Sequence, residues 1–452
     1  MEMFMNRNIS QSSALWQLLT DTSELLQAYL PSFRGDMPSS FTRNRKLPVE
    51  RIHQIMIDSR NCTRYAELMN FYERHSLEDP PSDTALYQAR MKLNPEPLNL
   101  INIDLMGSLY EQQQDVLKKW KGFFLFSVDG SDVIVPSSEE NARIFGRSRN
   151  SADPEKNPCM AKLSVIMDSL NGFILDTQFE RYKFCEGKLA LRHLKVLSDF
   201  FPYPAIVLAD RGYFSYGLLL ELTKRKLKFV LRIDRNTLKS EQEMLRDQND
   251  VSFTLRLTRA RTNEYRTDPV LQDELMNTEF PLRLLKIPLA GADGQETYEV
   301  LLTNLSQEEA AAEECGELYH LRWTVEGTYD ILKNKMDLEN FSSKKERLIR
   351  QDVYVSVYVY NAVQAAVLDT NNQIHQKQKY EMAVNTNNAI GVIKTYYVRA
   401  ILEPDLEKKK KLIEKIQALV LKRLVLIRPG RKNPRSPHPN RPKYRGTRKR
   451  AY

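Results

Sequence analysis

Four polar side chains in the segment 319–335 share one face of a single predicted helix, because their spacing stays near whole turns at about 100° per residue. They are Tyr319, Arg322, Glu326 and Lys333. A carboxylate flanked by Arg and Lys suits a site where a metal ion needs an oxygen ligand and a polyanion is held beside it. The alternative from spacing alone is a solvated charged face with ordinary ion pairs.

Two predicted strands end on carboxylates. LFSVDGS runs apolar into Asp129, and PAIVLAD is a short, continuously apolar strand of the buried kind that ends on Asp210. Between them, Asn171-Gly172 separates two further strands and predicts a hairpin. Strand meander, helix, central strand, helix, strand is the element order of the ribonuclease H-like α/β fold. In that order the first and fourth strands are neighbours, so the two aspartates are expected to meet.

An acidic triad follows from Asp129, Asp210 and Glu326. Three carboxylates in one place repel one another unless divalent cations lie among them, and oxygen-only ligation selects Mg²⁺ or Mn²⁺. Two such ions about 4 Å apart hold the attacking and leaving oxygens of an in-line phosphoryl displacement. Taken singly, each aspartate also has a plainer interpretation, as part of an Asp-Gly turn or as the end of a strand.

Composition narrows the function class. The chain has 452 residues, of which 42% are hydrophobic, and this predicts two or three domains with a substantial core. No apolar run approaches the roughly 20 residues of a membrane span, and the first residues lack a secretory pattern, so the cytoplasm is the expected location. The four cysteines and six histidines show no metal-ligand spacing. Any metal must therefore be held by oxygen.

The net charge of +9 is concentrated at one end of the chain. Residues 428–452 hold ten Lys and Arg and no acid, which leaves the remainder nearly neutral. Five prolines and no apolar periodicity predict that this tail is disordered when free. The basic excess is thus a property of a tail that can neutralise phosphates.

Three short helical patterns between residues 49 and 93 are compatible with a helix-turn-helix unit. The last of them, SDTALYQARMKL, has Ser82 or Asp83 as its N-cap. In such a unit Gln88, Arg90 and Lys92 would be exposed and able to reach bases or phosphates. A plain helical cap on the following domain is the alternative.

Changes of pattern along the chain predict six segments. They are a helical amino-terminal DNA-binding domain (1–115), the first part of a ribonuclease H-like core (116–233), a β-rich insertion (234–296), the second part of the core (297–375), a helical carboxy-terminal region (376–427) and the basic disordered tail (428–452).

The spacing Tyr319-x2-Arg322-x3-Glu326-x6-Lys333 resembles the YREK signature of bacterial cut-and-paste DDE transposases of the insertion-sequence-four type. LFSVDGS, VLADRGY and LYHLRWTVEGTYDILKNK are similar to motif regions of that family, and the resemblance covers roughly residues 40–430. It implies that the three acids named above are catalytic and bind two Mg²⁺ or Mn²⁺ ions. It also implies that the Tyr, Arg and Lys of the signature hold the end of the transferred strand through its phosphates.

The same resemblance implies the partners. They are double-stranded DNA, as terminal inverted repeats and as target, and a second copy of the chain in the DNA complex, in a bacterial, nucleoid-associated location without a membrane. Family members that form a DNA hairpin stack a flipped base on a Trp in the inserted β region. Here the tryptophans are Trp16, Trp120 and Trp323, so Tyr298 is the nearest candidate for that role.

Two other functions remain open from the sequence. A ribonuclease H-like nuclease or junction resolvase would share the metal triad but has no use for the Tyr, Arg and Lys at this spacing. A DNA-binding derivative that has lost catalysis is the second alternative, and the presence of all three carboxylates argues against it.

Overall fold

The computed structural model describes residues 13–42, 46–148, 157–289, 297–374 and 382–426. The chain divides into two units: the first combines 1–117, 132–161 and 329–452, and the second combines 118–131 and 162–328. The predicted disordered tail, 428–452, lies outside the described residues. No helix among those described is long and apolar enough to cross a membrane.

Eight strands form one mixed sheet, in the order β3-β2-β1-β4-β5-β8-β7-β6. They are β1 (Phe124–Ile134), β2 (Met160–Asp168), β3 (Ile174–Arg181), β4 (Ala205–Ala209), β5 (Lys228–Ile233), β6 (Asp250–Arg256), β7 (Glu279–Leu289) and β8 (Thr297–Thr303). A separate two-stranded sheet pairs β9 (Met382–Val384) with β10 (Leu424–Leu426).

The described residues also form sixteen α-helices. They are α1 (Ala14–Ala28), α2 (Leu30–Arg34), α3 (Val49–Asp58), α4 (Arg64–Arg74), α5 (Asp83–Lys92), α6 (Glu96–Gln112), α7 (Glu139–Ile144), α8 (Glu186–Phe200), α9 (Tyr216–Lys224), α10 (Lys239–Gln242), α11 (Pro269–Asn277), α12 (Ala312–Leu321), α13 (Thr324–Asp330), α14 (Glu346–Ile374), α15 (Thr386–Leu402) and α16 (Leu406–Leu421).

The centre of the large sheet has the predicted arrangement. β1 and β4 are parallel neighbours, and β4 in turn is parallel to β5. The predicted hairpin joins β2 to β3, and Gly172 in its turn has a φ of 79°, a backbone conformation that favours glycine. β4 is buried along its whole length, as its continuous apolar sequence requires. The mixed α/β, ribonuclease H-like fold class is therefore confirmed.

The segment predicted as a β-rich insertion extends this sheet. β6 and β7 pair antiparallel with each other, and β7 pairs antiparallel with β8, which borders β5. The same segment also contains α10 and α11. The six domain boundaries read from the sequence stay a prediction.

The first unit is helical and is built around α14. This 29-residue helix is contacted by α1, α6, α15 and α16. Asp369 on α14 accepts hydrogen bonds from the backbone N–H groups of Ala14 and Leu15, which satisfies orphan donors at the start of α1. The predicted first helix, with Ser13 as its cap, is confirmed, and so are the three short helices that became α3, α4 and α5.

Candidate active site

The two aspartates occupy equivalent positions on neighbouring parallel strands. Val128 pairs with Ala209 as the last paired residues of β1 and β4, so Asp129 and Asp210 follow at the same level. β1 itself continues to Ile134. The prediction that a strand ends on Asp129 is therefore wrong in detail, since only the pairing with β4 ends there, but the expected meeting of the two carboxylates holds in the register.

The Asp129 carboxylate is largely buried, with 21% of its side chain exposed. Burial raises its pKa to about 6, and the nearby acids Glu326 and Glu186 raise it further, against the Gly130 N–H and Arg322. The N–H of Gly130 donates to Asp129 Oδ1 over 2.9 Å. A carboxylate with a raised pKa in an acidic environment is the electrostatic pattern of a functional site.

Asp210 is held from two sides. Its Oδ1 accepts the N–H of Arg211 at 2.7 Å, at the start of a short 3-10 turn, and the hydroxyl of Tyr319 at 3.0 Å. Tyr319 is 1% exposed, and burial together with Asp210 raises the pKa of its hydroxyl. Tyr319 therefore keeps its proton and directs it to Asp210, so in this structure it orients a candidate catalytic carboxylate.

The single helix predicted for 319–335 is wrong. α12 ends at Leu321, α13 begins at Thr324, and a π-helical turn follows from Ile331 to Lys335. The backbone between the helices is bonded i to i−3, as in Arg322 N–H to Tyr319 O and Trp323 N–H to His320 O. Such bonds tighten the chain to about three residues per turn.

Arg322 joins two of the three acids. It is 4% exposed, its Nη1 lies 3.5 Å from Asp129 Oδ2, and its Nη2 lies 3.2 Å from Glu326 Oε1. Its guanidinium also lies over the ring of Tyr319, 5.7 Å from the centroid. Arg322 is thus part of a buried network with the carboxylates and is not on a solvated helix face.

Lys333 belongs to the other unit of the chain. Its Nζ donates to the backbone carbonyl of Asp132, and its ammonium lies 6.0 Å from the ring centroid of Tyr329. Its predicted contact with a DNA phosphate stays a prediction.

Tyr298 has surroundings suited to stacking. It is 40% exposed on β8, and two cations flank its ring: Lys286 Nζ is 4.7 Å and the Arg235 guanidinium carbon 5.3 Å from the centroid. An exposed ring with adjacent cations can receive a base and a phosphate together. No contact among the described residues tests this role.

The prediction that Arg90 is exposed is wrong. Arg90 is 5% exposed because α14 covers this side of α5. Its guanidinium donates to Asp352 at 2.7 Å and to Gln351 at 3.0 Å, so it fixes α5 to α14. Gln88 and Lys92 are exposed, and their predicted contact with DNA stays a prediction.

Sequence reasoning missed a second acid–arginine pair near Asp210. Arg232 on β5 has Nη1 3.8 Å from Asp210 Oδ1 and Nε 4.0 Å from Glu299 Oε2 on β8. The signal was present, since each is a charged residue inside an apolar strand, LKFVLRI and TYEVLLT. A charge at such a position demands a partner or a function.

The donor chemistry of the three acids fits divalent cations, because carboxylate oxygens are the ligands that Mg²⁺ prefers. Within the described ranges, however, no three acidic, His or Cys side chains are grouped closely enough to hold a metal ion. The Arg322 guanidinium contacts both Asp129 and Glu326. Ion binding by that pair would therefore require Arg322 to move.

Comparison of the fold finds two solved transposases. One is a piggyBac transposase synaptic complex with hairpin DNA, with 10% sequence identity, a TM-score of 0.43, and coverage of 90% of this chain and 85% of that one. The other is the Drosophila P element transposase strand transfer complex, with 11% identity, a TM-score of 0.24, and coverage of 89% and 98%. Scores of this size leave the family assignment to the sequence match.

No curated protein matches the chain. A family model described as a transposase DDE domain matches residues 124–362, which is more than half of the chain and includes β1, β4, α12 and α13 with the three candidate catalytic acids. By that match the chain belongs to the DDE transposase family.

Proposed function

We propose that this transposase cleaves and joins DNA at one site, with Asp129, Asp210 and Glu326 as its catalytic acids. The observation that carries the proposal is the register of β1 and β4, which sets Asp129 beside Asp210. The third acid is linked to the first through Arg322. All three acids lie within the matched family domain.

The reaction is two in-line displacements at phosphorus. Water attacks a terminal phosphodiester of the element and the bond to the 3′ oxygen breaks, which leaves a 3′-hydroxyl. That hydroxyl then attacks a phosphodiester of the target, whose own 3′ oxygen departs. Tyr319 orients Asp210 by its hydrogen bond, and Arg322 supplies a buried positive charge beside the reacting phosphate.

Two Mg²⁺ or Mn²⁺ ions held by the three carboxylates would polarise the phosphoryl oxygens and stabilise the leaving oxygen. Ionised Asp129 is the form that can bind such an ion. Because its pKa is raised to about 6, the ligand is fully formed only above that pH.

The finer assignments rest on the resemblance of the YREK spacing. They are the insertion-sequence-four type, the cut-and-paste route, recognition of terminal inverted repeats, action as a dimer and a bacterial, nucleoid-associated location. Gln88 and Lys92 on the exposed side of α5 are the proposed contacts of the amino-terminal helices with DNA, and Lys333 is a proposed contact with the end of the transferred strand.

The experiment compares Asp129→Asn, Asp210→Asn and Glu326→Gln with wild type. Each variant is assayed for nicking and strand transfer in Mg²⁺ on a duplex carrying the inverted repeat that flanks the gene. We expect loss of both reactions with end binding retained, because the carboxylates serve the chemistry and binding depends on other contacts. Nicking at the wild-type rate by any variant would remove that residue from the proposed site.

A further inference from the structure

Two arginines in the second unit of the chain each lie between two carboxylates. Arg322 contacts Asp129 and Glu326, and both contacts are short enough to include hydrogen bonds. Arg232 stands between Asp210 and Glu299, but at 3.8 Å and 4.0 Å. The second pair is therefore held by charge at a distance, without hydrogen bonds.

Glu299 is buried without the partners that a buried carboxylate needs. Its side chain is 5% exposed, and its Oε1 has no hydrogen-bond partner in the described part of the chain. Burial raises its pKa, and Asp210 adds to the rise, while His320, Arg232 and Arg322 lower it. An acid in this position weakens the folded state, so its presence calls for an explanation outside stability.

Arg232 has donor capacity to spare. Its side chain is 35% exposed, and within the described residues its guanidinium takes part in two long ion contacts and no hydrogen bond. An arginine has five N–H donors in a planar fork that matches a phosphate. A charge that only neutralised Asp210 would need no second carboxylate on its other side.

We propose that Arg232 binds a phosphate of the DNA strand that lies beside Asp210, and that Glu299 is a positioning residue that holds the guanidinium within reach of it. Asp210 and Glu299 restrain the fork from two sides without using its hydrogen bonds, so the donors stay available to the DNA. This inference rests on the proposed function, because it requires a scissile or target strand at Asp210.

The first test replaces Arg232 with Ala and compares it with Arg256→Ala. Arg256 makes an exposed cross-strand ion pair with Glu279 in the same sheet, so its loss controls for the loss of one charge. On a duplex carrying the flanking inverted repeat, we expect Arg232→Ala to cleave about ten- to a hundredfold more slowly, the range for lost charge-assisted hydrogen bonds. The slope of log affinity against log salt should become shallower by about 0.9.

Arg256→Ala should cleave within about twofold of wild type, as expected for an exposed ion pair. Equal slowing by the two variants would show a general charge effect and overturn the proposal. Arg232→Lys should recover little, because an ammonium cannot reproduce the fork.

The second test replaces Glu299 with Gln, which keeps the shape and removes the charge. A structural acid would lose melting temperature on this change. A positioning acid buried without partners should keep or gain melting temperature while cleavage slows by about tenfold, and Arg232→Ala with Glu299→Gln should be no slower than Arg232→Ala alone. A lower melting temperature with wild-type cleavage would overturn the role of Glu299.

Asp210→Asn is assayed in parallel to separate the two levels of the argument. If Asp210→Asn still cleaves, the proposed function itself fails. If Asp210→Asn is inactive while Arg232→Ala and Glu299→Gln cleave like wild type, the site stands and only this inference is overturned.

Discussion

Replacing Asp129 with Asn tests the electrostatics of the site in the absence of DNA and metal. Burial raises the pKa of Asp129 from 3.8 to about 6 in the folded chain. Because this pKa is raised, the contribution of the protonated acid to stability is complete below about pH 4 and is lost as the pH rises through about 6. At about 1.4 kcal/mol for each pKa unit, the loss approaches about 3 kcal/mol at neutral pH.

Asparagine cannot ionise, so the variant should escape this loss. We expect its free energy of unfolding, relative to wild type, to rise by about 2 kcal/mol between about pH 4.5 and about pH 7.5. Changed hydrogen bonds to Gly130 and Arg322 add a constant that does not depend on pH. Urea denaturation in EDTA, followed by circular dichroism at several pH values, measures the difference. A difference that is flat, or that falls with rising pH, would refute the assignment of a buried, strained carboxylate.

Three further predictions concern other parts of the chain. Arg90→Ala should lower the free energy of unfolding by about 3 kcal/mol, since Asp352 loses its partner, whereas exposed Lys92→Ala should change it by less than about 0.5 kcal/mol; urea denaturation of both decides, and equal values would contradict the packing of α5 on α14. Tyr298→Ala should slow hairpin formation or second-strand cleavage but not first-strand nicking, because stacking contributes about 1–3 kcal/mol per base; denaturing gels resolve the steps, and equal rates at every step would exclude a base on this ring. Deleting 428–452 should make the slope of log affinity against log salt shallower by about 0.9 for each phosphate released, with the preference for the ends retained; anisotropy titrations over a salt series measure it, and an unchanged slope would assign the tail no contact with DNA.

The sheet and its two aspartates were predictable because the relevant physics is local. A continuous apolar run such as PAIVLAD can only be a strand buried on both faces, and the element order then determines its neighbour. The rule needs no distant contact, and the register of Val128 with Ala209 confirms it.

The helix break and the burial of Arg90 were not predictable because both depend on distant residues. Nothing in the segment around Arg322 interrupts a helical pattern, yet Tyr319 bonds to Asp210 and Arg322 to Asp129, from strands more than 100 residues earlier in the chain. These contacts accompany a tightened turn in place of continuous α-helix. Arg90 has helical spacing typical of an exposed position until α14, about 260 residues later, covers it.

The measurement that most directly tests the central claim is a change of metal preference. Asp129, Asp210 and Glu326 are each replaced by Cys, with the matched Ala variants as controls, and nicking is compared in Mg²⁺ and in Mn²⁺. A thiolate is a poor ligand for Mg²⁺ and a better one for softer ions. The account predicts that each Cys variant is inactive in Mg²⁺ and regains nicking in Mn²⁺, while the Ala variants stay inactive in both. Wild-type nicking in Mg²⁺ by any Cys variant would contradict the claim that its carboxylate holds the catalytic ions.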